Sequence, residues 1–191
     1  MREKTLVIFK PDVLARGITG ELISRFEKIG LKLIAMKLIK TDPAIAKEHY
    51  KKDDEWLIRK GKQIAEQLKL KITKEEEYKK YAREVILEPL ITDIQLYPIV
   101  ALILEGHKAV SLVKKHVGPT NPEEAMPGTI RGDYSQDSYL LANTLNRPVV
   151  NIVHCTDDPK DAEKEIDLWF KKGEIIDWVK PDESLHFRKG K

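Results

Sequence analysis

The sequence is organised around Met126-Pro-Gly-Thr-Ile-Arg-Gly-Asp133 and Pro148-Val-Val-Asn-Ile-Val-His-Cys-Thr-Asp-Asp158. The first piece is rich in Gly and Pro, which predicts a loop. The second contains a β-branched run, Val149 to Val153, which predicts a strand with His154 just beyond its end. A fixed arginine and a strand-end histidine suit phosphoryl chemistry. Guanidinium holds phosphate oxygens with paired hydrogen bonds, and neutral imidazole is a nucleophile near pH 7.

Outward from this stretch, the apolar pattern predicts a small α+β domain. Three further apolar runs predict strands at 5–9, 31–39 and 99–104. Apolar spacing predicts helices at 18–29 and 109–118, and Asp-Pro pairs at 42–43 and 158–159 predict two more, each with a capping Asp and Pro in the first turn. With residues 53–97 set aside, the order is βαββαβ. This order is typical of a ferredoxin-like sandwich, a four-stranded antiparallel sheet with helices on one face.

Residues 53–97 interrupt this pattern. Apolar side chains spaced along the segment predict two amphipathic helices, and Thr73-Lys-Glu-Glu76 between them has the form of a capping box. We therefore predict that residues 1–191 form a single domain with a helical insertion at about 57–90. The last residues, from Lys180, are polar and are predicted to be extended.

Composition restricts the possible classes of protein. Charged residues make up 34% of the 191 residues, yet the formal net charge is only +3, so binding to nucleic acid through the overall field is not expected. One cysteine, Cys155, permits no internal disulfide and favours the reducing cytoplasm. No apolar run approaches the roughly 20 residues of a membrane span, and no signal peptide is expected because the chain enters a strand at once.

Several motifs together carry a resemblance to a known family. Pro127-Gly-Thr-Ile-Arg-Gly-Asp133 with Asn151-Ile-Val-His154 resembles the signature of nucleoside diphosphate kinases. Thr5-Leu-Val-Ile-Phe-Lys-Pro-Asp12 resembles the first strand of that family, and His49-Tyr50 and Gly118-Pro-Thr-Asn-Pro122 match two of its shorter motifs. The resemblance covers residues 4–50 and 98–172. It implies the same ferredoxin-like fold that the strand order predicts.

The resemblance also implies roles for particular residues. His154 becomes the phosphohistidine nucleophile, with Glu165 and Thr156 orienting its ring. Lys10 contacts the transferred phosphate and the ribose, and Tyr50 lies near the histidine, although helix packing against the sheet is an alternative role for it. The remaining nucleotide contacts are implied for Thr120, Arg131 and Asn151, the last of these at the 3′-hydroxyl.

Three positions depart from the family pattern. Lys114 stands where the family has a second arginine that binds phosphate. Lysine keeps the positive charge but lacks the planar guanidinium that forms paired hydrogen bonds. Lys115 is an alternative candidate for this phosphate contact. Cys155 stands where the family has glycine or alanine. The aromatic residue that stacks on the base should follow Tyr50, where the insertion begins, and Trp56 is the candidate.

The implied activity is transfer of the γ-phosphate of a nucleoside triphosphate to a nucleoside diphosphate, in two steps through phospho-His154. The sequence has no glycine-rich phosphate loop and no carboxylate cluster with metal-ligand spacing, so Mg²⁺ is expected to arrive with ATP or another nucleotide. The resemblance further implies a homo-oligomer, a hexamer or a tetramer. Two alternatives remain: a nucleotide-binding regulatory or interaction protein on the same fold, and a nucleic-acid module built on Arg59-Lys-Gly-Lys62. For that basic stretch, a solvated helix face is the simpler interpretation.

Overall fold

The computed structural model describes residues 2–188. Four strands, β1 (Glu3–Phe9), β2 (Lys32–Ile39), β3 (Ile99–Gly106) and β4 (Val153–Cys155), form one sheet in the order β2-β3-β1-β4. The register pairs Ile8 with Ala101 on one side and with His154 on the other, and every neighbouring pair is antiparallel. This is the predicted ferredoxin-like α+β arrangement.

The helices lie on both faces of the sheet, and the prediction of helices on one face was wrong. On one face, Val7 and Phe9 of β1 pack with α2 (Thr19–Lys28) and α7 (Ala109–Val117). On the other, Leu6 and Ile8 pack with α3 (Pro43–His49), α6 (Glu88–Leu96) and α10 (Pro159–Trp169). Adjacent side chains of a strand point to opposite faces, so the unbroken apolar run of β1 requires cover on both.

Two predicted helix starts are confirmed and one is wrong. Asp42 accepts a hydrogen bond from the Ala44 amide at the start of α3, and Asp158 does the same for Lys160 at the start of α10. The capping box at Thr73-Lys-Glu-Glu76 does not form, because the helix begins at Glu75 and its N-cap is Lys74, which provides no side-chain cap.

The inserted segment consists of α4 (Asp54–Gln67), α5 (Glu75–Ala82), one π-helical turn (Arg83–Leu87) and α6. α4 and α5 pack closely at Gly61, where a β-carbon would lie 2.3 Å from the Tyr78 carbonyl oxygen. α6 buries Ile94 in the core beneath the sheet. The inserted helices are therefore tied to the core through α6.

The fourth strand is shorter and later than predicted. Residues 149–152 do not join the sheet, because the Asn151 amide bonds to the Val149 carbonyl and the Val153 amide to the Asn151 carbonyl. Ile152 between them has φ +54°, which turns the chain away from the extended path of a strand. His154 consequently lies inside β4 and not beyond it.

The remaining helices are short: α1 (Pro11–Ala15), α8 (Ile130–Tyr134), α9 (Tyr139–Thr144) and α11 (Glu183–Phe187). The prediction of an extended tail from Lys180 was wrong, since α11 forms there and buries Glu183 against Lys32, 3.0 Å away. Residues 189–191 lie outside the described part of the chain. Within residues 2–188, no helix combines the length and the apolar character that crossing a bilayer requires.

Candidate functional site

His154 is held from one side by Glu165, which Thr156 in turn holds. Its Nε2 lies 3.0 Å from Oε2 of Glu165, which projects from α10. The hydroxyl of Thr156, which is almost fully buried, donates to the same carboxylate oxygen at 2.6 Å. The strand β4 and the helix α10 thus bring together three residues that are spread over 12 positions of the sequence.

The charge of Glu165 sets which ring nitrogen of His154 donates to it. Burial favours the neutral acid, but the hydrogen bonds from His154 and Thr156 outweigh it and lower the pKa of Glu165 to about 2. At neutral pH the carboxylate is therefore ionised and accepts a hydrogen bond from Nε2–H. With the proton on Nε2, Nδ1 keeps its lone pair, which makes it the nucleophilic nitrogen.

Lys10 and Asn151 form a buried polar pair beside His154. Lys10 Nζ donates to Asn151 Oδ1 at 2.6 Å, and Asn151 Nδ2 donates to the Thr120 carbonyl at 3.0 Å. Burial lowers the pKa of Lys10 to about 8, although the nearby carboxylate of Asp93 acts in the opposite direction. The Asn151 amide therefore links the end of β1 to the loop that carries Thr120.

Arg131 is buried and bound on three sides by main-chain carbonyls. Its Nε donates to Asn151 at 3.1 Å, one terminal nitrogen to Gly118 at 2.8 Å and the other to Val153 at 2.6 Å. Guanidinium has five N–H donors, so one N–H on each terminal nitrogen stays available to a ligand. These bonds also hold both sides of Ile152 in its strained conformation.

Apart from Thr156, the side chains whose hydrogen bonds are described above line one pocket of about 480 Å³. Its lining includes the cations Lys10, Arg131 and Lys114, and the ammonium group of Lys114 forms an ion pair with Asp157 at 2.8 Å. The inserted segment also lines the pocket, with Trp56 at the start of α4 and apolar side chains from the π-helical turn. Of the residues predicted for the site, those that line the pocket are Lys10, Tyr50, Trp56, Lys114, Thr120, Arg131, Asn151, His154 and Glu165.

One group of side chains has the composition of a metal site. Donor atoms of His49, His154 and Glu165 lie within 4.8 Å of one another, and no other such group occurs among residues 2–188. The hydrogen bond between His154 and Glu165 already uses two of these donors. We therefore assign the group to the orientation of His154, which leaves the pocket without an oxygen-rich cage for Mg²⁺.

Comparison with known proteins identifies the family. The family model described as nucleoside diphosphate kinase matches residues 3–56 and 54–175. The chain belongs to the nucleoside diphosphate kinase family. A relative with that name from Pyrobaculum aerophilum is 42% identical over 182 residues, covering 92% of this chain and 98% of the relative. Another from Borreliella burgdorferi is 35% identical over 185 residues and covers 97% of each chain.

Solved structures of the family have the same fold. The crystal structure of an NDP kinase from Pyrobaculum aerophilum has a TM-score of 0.83 at 41% identity and covers 93% of this chain and 100% of its own. A transition-state mimic of the Borrelia burgdorferi nucleoside-diphosphate kinase, with bound vanadate and ADP, has a TM-score of 0.80 at 34% identity and covers 97% of each chain. The predicted family, fold and enzyme class are therefore confirmed.

Sequence reasoning missed several residues of the pocket, among them His49 and Asp157. His49 stands next to Tyr50 in a motif that the sequence analysis quoted, but no role was given to it. Asp157, three residues after His154, was likewise overlooked, although a carboxylate so close to the quoted motif was visible. Both line the pocket.

Proposed function

We propose that the chain catalyses γ-phosphoryl transfer between nucleoside tri- and diphosphates through a phosphohistidine at His154. The observation that carries the proposal is the bond from His154 Nε2 to Glu165, which leaves Nδ1 as the free nitrogen in a pocket that Lys10, Lys114 and Arg131 also line. A regulatory nucleotide-binding protein would need the pocket but not this arrangement of an ionised glutamate, a hydroxyl and a histidine.

In the first step, Nδ1 of His154 attacks the γ-phosphorus, and the bond from that phosphorus to the β–γ bridging oxygen breaks. The diphosphate leaves with the electron pair of that bond. The N-phosphorylated ring carries positive charge, which the Glu165 carboxylate stabilises through Nε2–H. In the second step, a terminal oxygen of another diphosphate attacks the same phosphorus, and its bond to Nδ1 breaks.

The cations of the pocket neutralise the phosphate oxygens. Lys10 and the two remaining N–H groups of Arg131 supply direct contacts, and the hydroxyl of Thr120 supplies a neutral donor. Lys114 supplies positive charge at the rim of the pocket. When the nucleotide binds, the Lys114 ammonium group leaves the carboxylate of Asp157 and pairs with a phosphate oxygen. Mg²⁺ enters as part of the nucleotide substrate and offsets the charge of its phosphates.

Trp56 and Tyr50 lie at the nucleoside end of the pocket in this proposal. Trp56 is half-buried at the start of α4, where its ring can stack on a base of any identity. The buried Tyr50 stands next to His49, with their ring centroids 4.8 Å apart. Asn151, whose side chain bonds Lys10, meets the ribose 3′-hydroxyl from the same side.

The direct test is an intact mass measurement after incubation with ATP and Mg²⁺. The protein should gain the mass of one phosphoryl group, and this label should be stable in base and labile in acid. Addition of any nucleoside diphosphate should remove the label and yield the corresponding triphosphate. Nucleotide binding without a mass change would instead favour the regulatory alternative.

We further propose that the whole chain is one domain in which residues 57–90 form a wall of the nucleotide pocket. Replacing residues 57–84 by a short glycine-containing link spares α6 and its buried Ile94. We expect this variant to keep phosphohistidine formation, because Lys10, Arg131 and Glu165 all lie outside the deletion, and to show a higher KM for nucleotides. A folded variant that forms no phosphohistidine would contradict this role.

A homo-oligomer, either a hexamer or a tetramer, is also proposed. It is supported by the edge strand β2, on which Met36 and Leu38 are 53% and 64% exposed. Sedimentation velocity at micromolar concentration measures the assembly, and a monomer would contradict the proposal. The single buried cysteine supports a location in the reducing cytoplasm.

A further inference from the structure

His49 is a buried histidine in direct contact with the candidate nucleophile. It is the last residue of α3 and is 9% exposed. Its ring lies between two other aromatic rings, with centroid distances of 4.4 Å to His154 and 5.4 Å to Trp169. Both contacts are nearly perpendicular, at 81° and 82°.

The protonation of His49 follows from its surroundings. Burial, with a further contribution from His154, lowers its pKa to about 3, so the ring is neutral at physiological pH. The indole N–H of Trp169 donates to Nδ1 at 3.2 Å, which places the one ring proton of His49 on Nε2. Trp169 therefore selects the tautomer of His49.

The Nε2 atom of His49 is buried and has no hydrogen-bond partner among the described residues. A buried donor without a partner lowers stability, so its presence beside a reactive group requires a reason. One nitrogen of His49 lies within 4.8 Å of a nitrogen of His154 and an oxygen of Glu165. The unpaired group thus belongs to the immediate surroundings of the nucleophile.

We propose that His49, oriented by Trp169, is a positioning residue that holds the plane of the His154 ring so that Nδ1 stays aimed into the pocket. The inference rests on the proposed role of His154 as the phosphorylated residue. The single bond from Nε2 to Glu165 fixes one atom of the ring and leaves it free to tilt about that point. The perpendicular ring of His49 limits this tilt.

The neutral state of His49 suits this position. Phosphorylation makes the His154 ring cationic, and a second cation at 4.4 Å between centroids would oppose the reaction. A neutral imidazole restricts the ring without this repulsion. Small displacements of reacting atoms have large effects on rate. Restricting the tilt of the His154 ring should therefore affect the rate of phosphoryl transfer more than the affinity for nucleotide.

The test compares His49→Ala and Trp169→Phe with His107→Ala as a matched control. His107 is exposed and follows Gly106, which pairs with Glu3 at the end of the sheet away from Lys10. Rapid-quench measurement of phosphohistidine formation from saturating ATP·Mg²⁺ gives the rate of the first step. Equilibrium binding of ADP gives the Kd separately.

We expect His49→Ala to slow phosphohistidine formation by about 10–100-fold, the range seen when residues that orient a reactive ligand are removed. Trp169→Phe should slow it less, and the Kd for ADP should stay unchanged in both. If His49→Ala does not fold, His49→Asn, which keeps an acceptor for Trp169, replaces it and should slow phosphohistidine formation more than Trp169→Phe, because it lacks the imidazole ring that limits the tilt of His154.

A folded His49→Ala protein with the wild-type rate would overturn the positioning role, as would a change in Kd as large as the change in rate. Failure of the wild-type protein to form phosphohistidine is a different result, because it refutes the proposed function itself.

Discussion

Replacing His154 by alanine is expected to abolish phosphohistidine formation and to reduce phosphoryl transfer by roughly 10⁴-fold or more, as loss of a covalent nucleophile does in other enzymes. The structure gives the physical reason. Nδ1 of His154 is the one nitrogen at the site that combines a lone pair, access to the pocket and an ionised partner on the opposite nitrogen. His49, the other histidine of the pocket, is buried, and its Nδ1 accepts the indole N–H of Trp169.

The measurement is transfer of labelled phosphate from ATP to a nucleoside diphosphate, combined with intact mass of the protein. The folded state of His154→Ala should change little, because the side chain is about a quarter exposed and makes one hydrogen bond. His107→Ala is the matched control and should retain the label. A His154→Ala protein that still transfers phosphate at the wild-type rate would place the nucleophile elsewhere.

The sequence predicted the central strands well because their signal is local. The run from Leu6 to Phe9 is apolar at every position, and a segment of that kind is stable only when buried on both sides. The Asp-Pro starts of α3 and α10 were predictable for the same reason, since the cap and the proline act within one turn. The prediction that helices cover only one face of the sheet was wrong, although the continuous apolar run of β1 already indicates that both faces are covered.

The backbone conformation just before His154 could not be predicted from the conformational preferences of the residues there. A β-branched residue such as Ile152 strongly favours the extended conformation, yet it has φ +54° here. Distant groups determine this conformation: the Lys10 amide bonds to the Ile152 carbonyl at 2.9 Å, and Arg131 bonds to the carbonyls of the residues on either side. Apart from Thr156, the predicted site residues share one pocket, but the hydrogen bonds between them depend on distant contacts that spacing along the sequence does not reveal.

Arg131 is expected to be as important for stability as for phosphate binding. Its three bonds to carbonyl oxygens join the end of α7, the strained turn at Ile152 and the strand β4. The side chain is 5% exposed, so water cannot replace it when it is removed. Each buried carbonyl that loses its donor destabilises the fold by about 1–3 kcal/mol.

We therefore expect Arg131→Met to lower the free energy of unfolding by about 3–5 kcal/mol, the range for breaking a buried hydrogen-bonded charge. Arg131→Lys should be destabilised by a smaller amount, because one ammonium group cannot reach three carbonyls arranged around a planar fork. Urea unfolding followed by circular dichroism measures both. Arg59→Lys is the matched control, since Arg59 is an exposed residue of α4, and it should unfold like the wild type.

The two roles of Arg131 separate in one comparison. If the arginine contacts only phosphate, Arg131→Lys will raise the nucleotide KM and leave the urea midpoint unchanged, which would contradict the structural role. If it holds the turn at Ile152, the midpoint will fall in the protein without nucleotide, where no phosphate is present to bind. Loss of the turn should also release the Ile152 carbonyl from the Lys10 amide and displace His154 from Glu165, so phosphohistidine formation should slow even at saturating nucleotide.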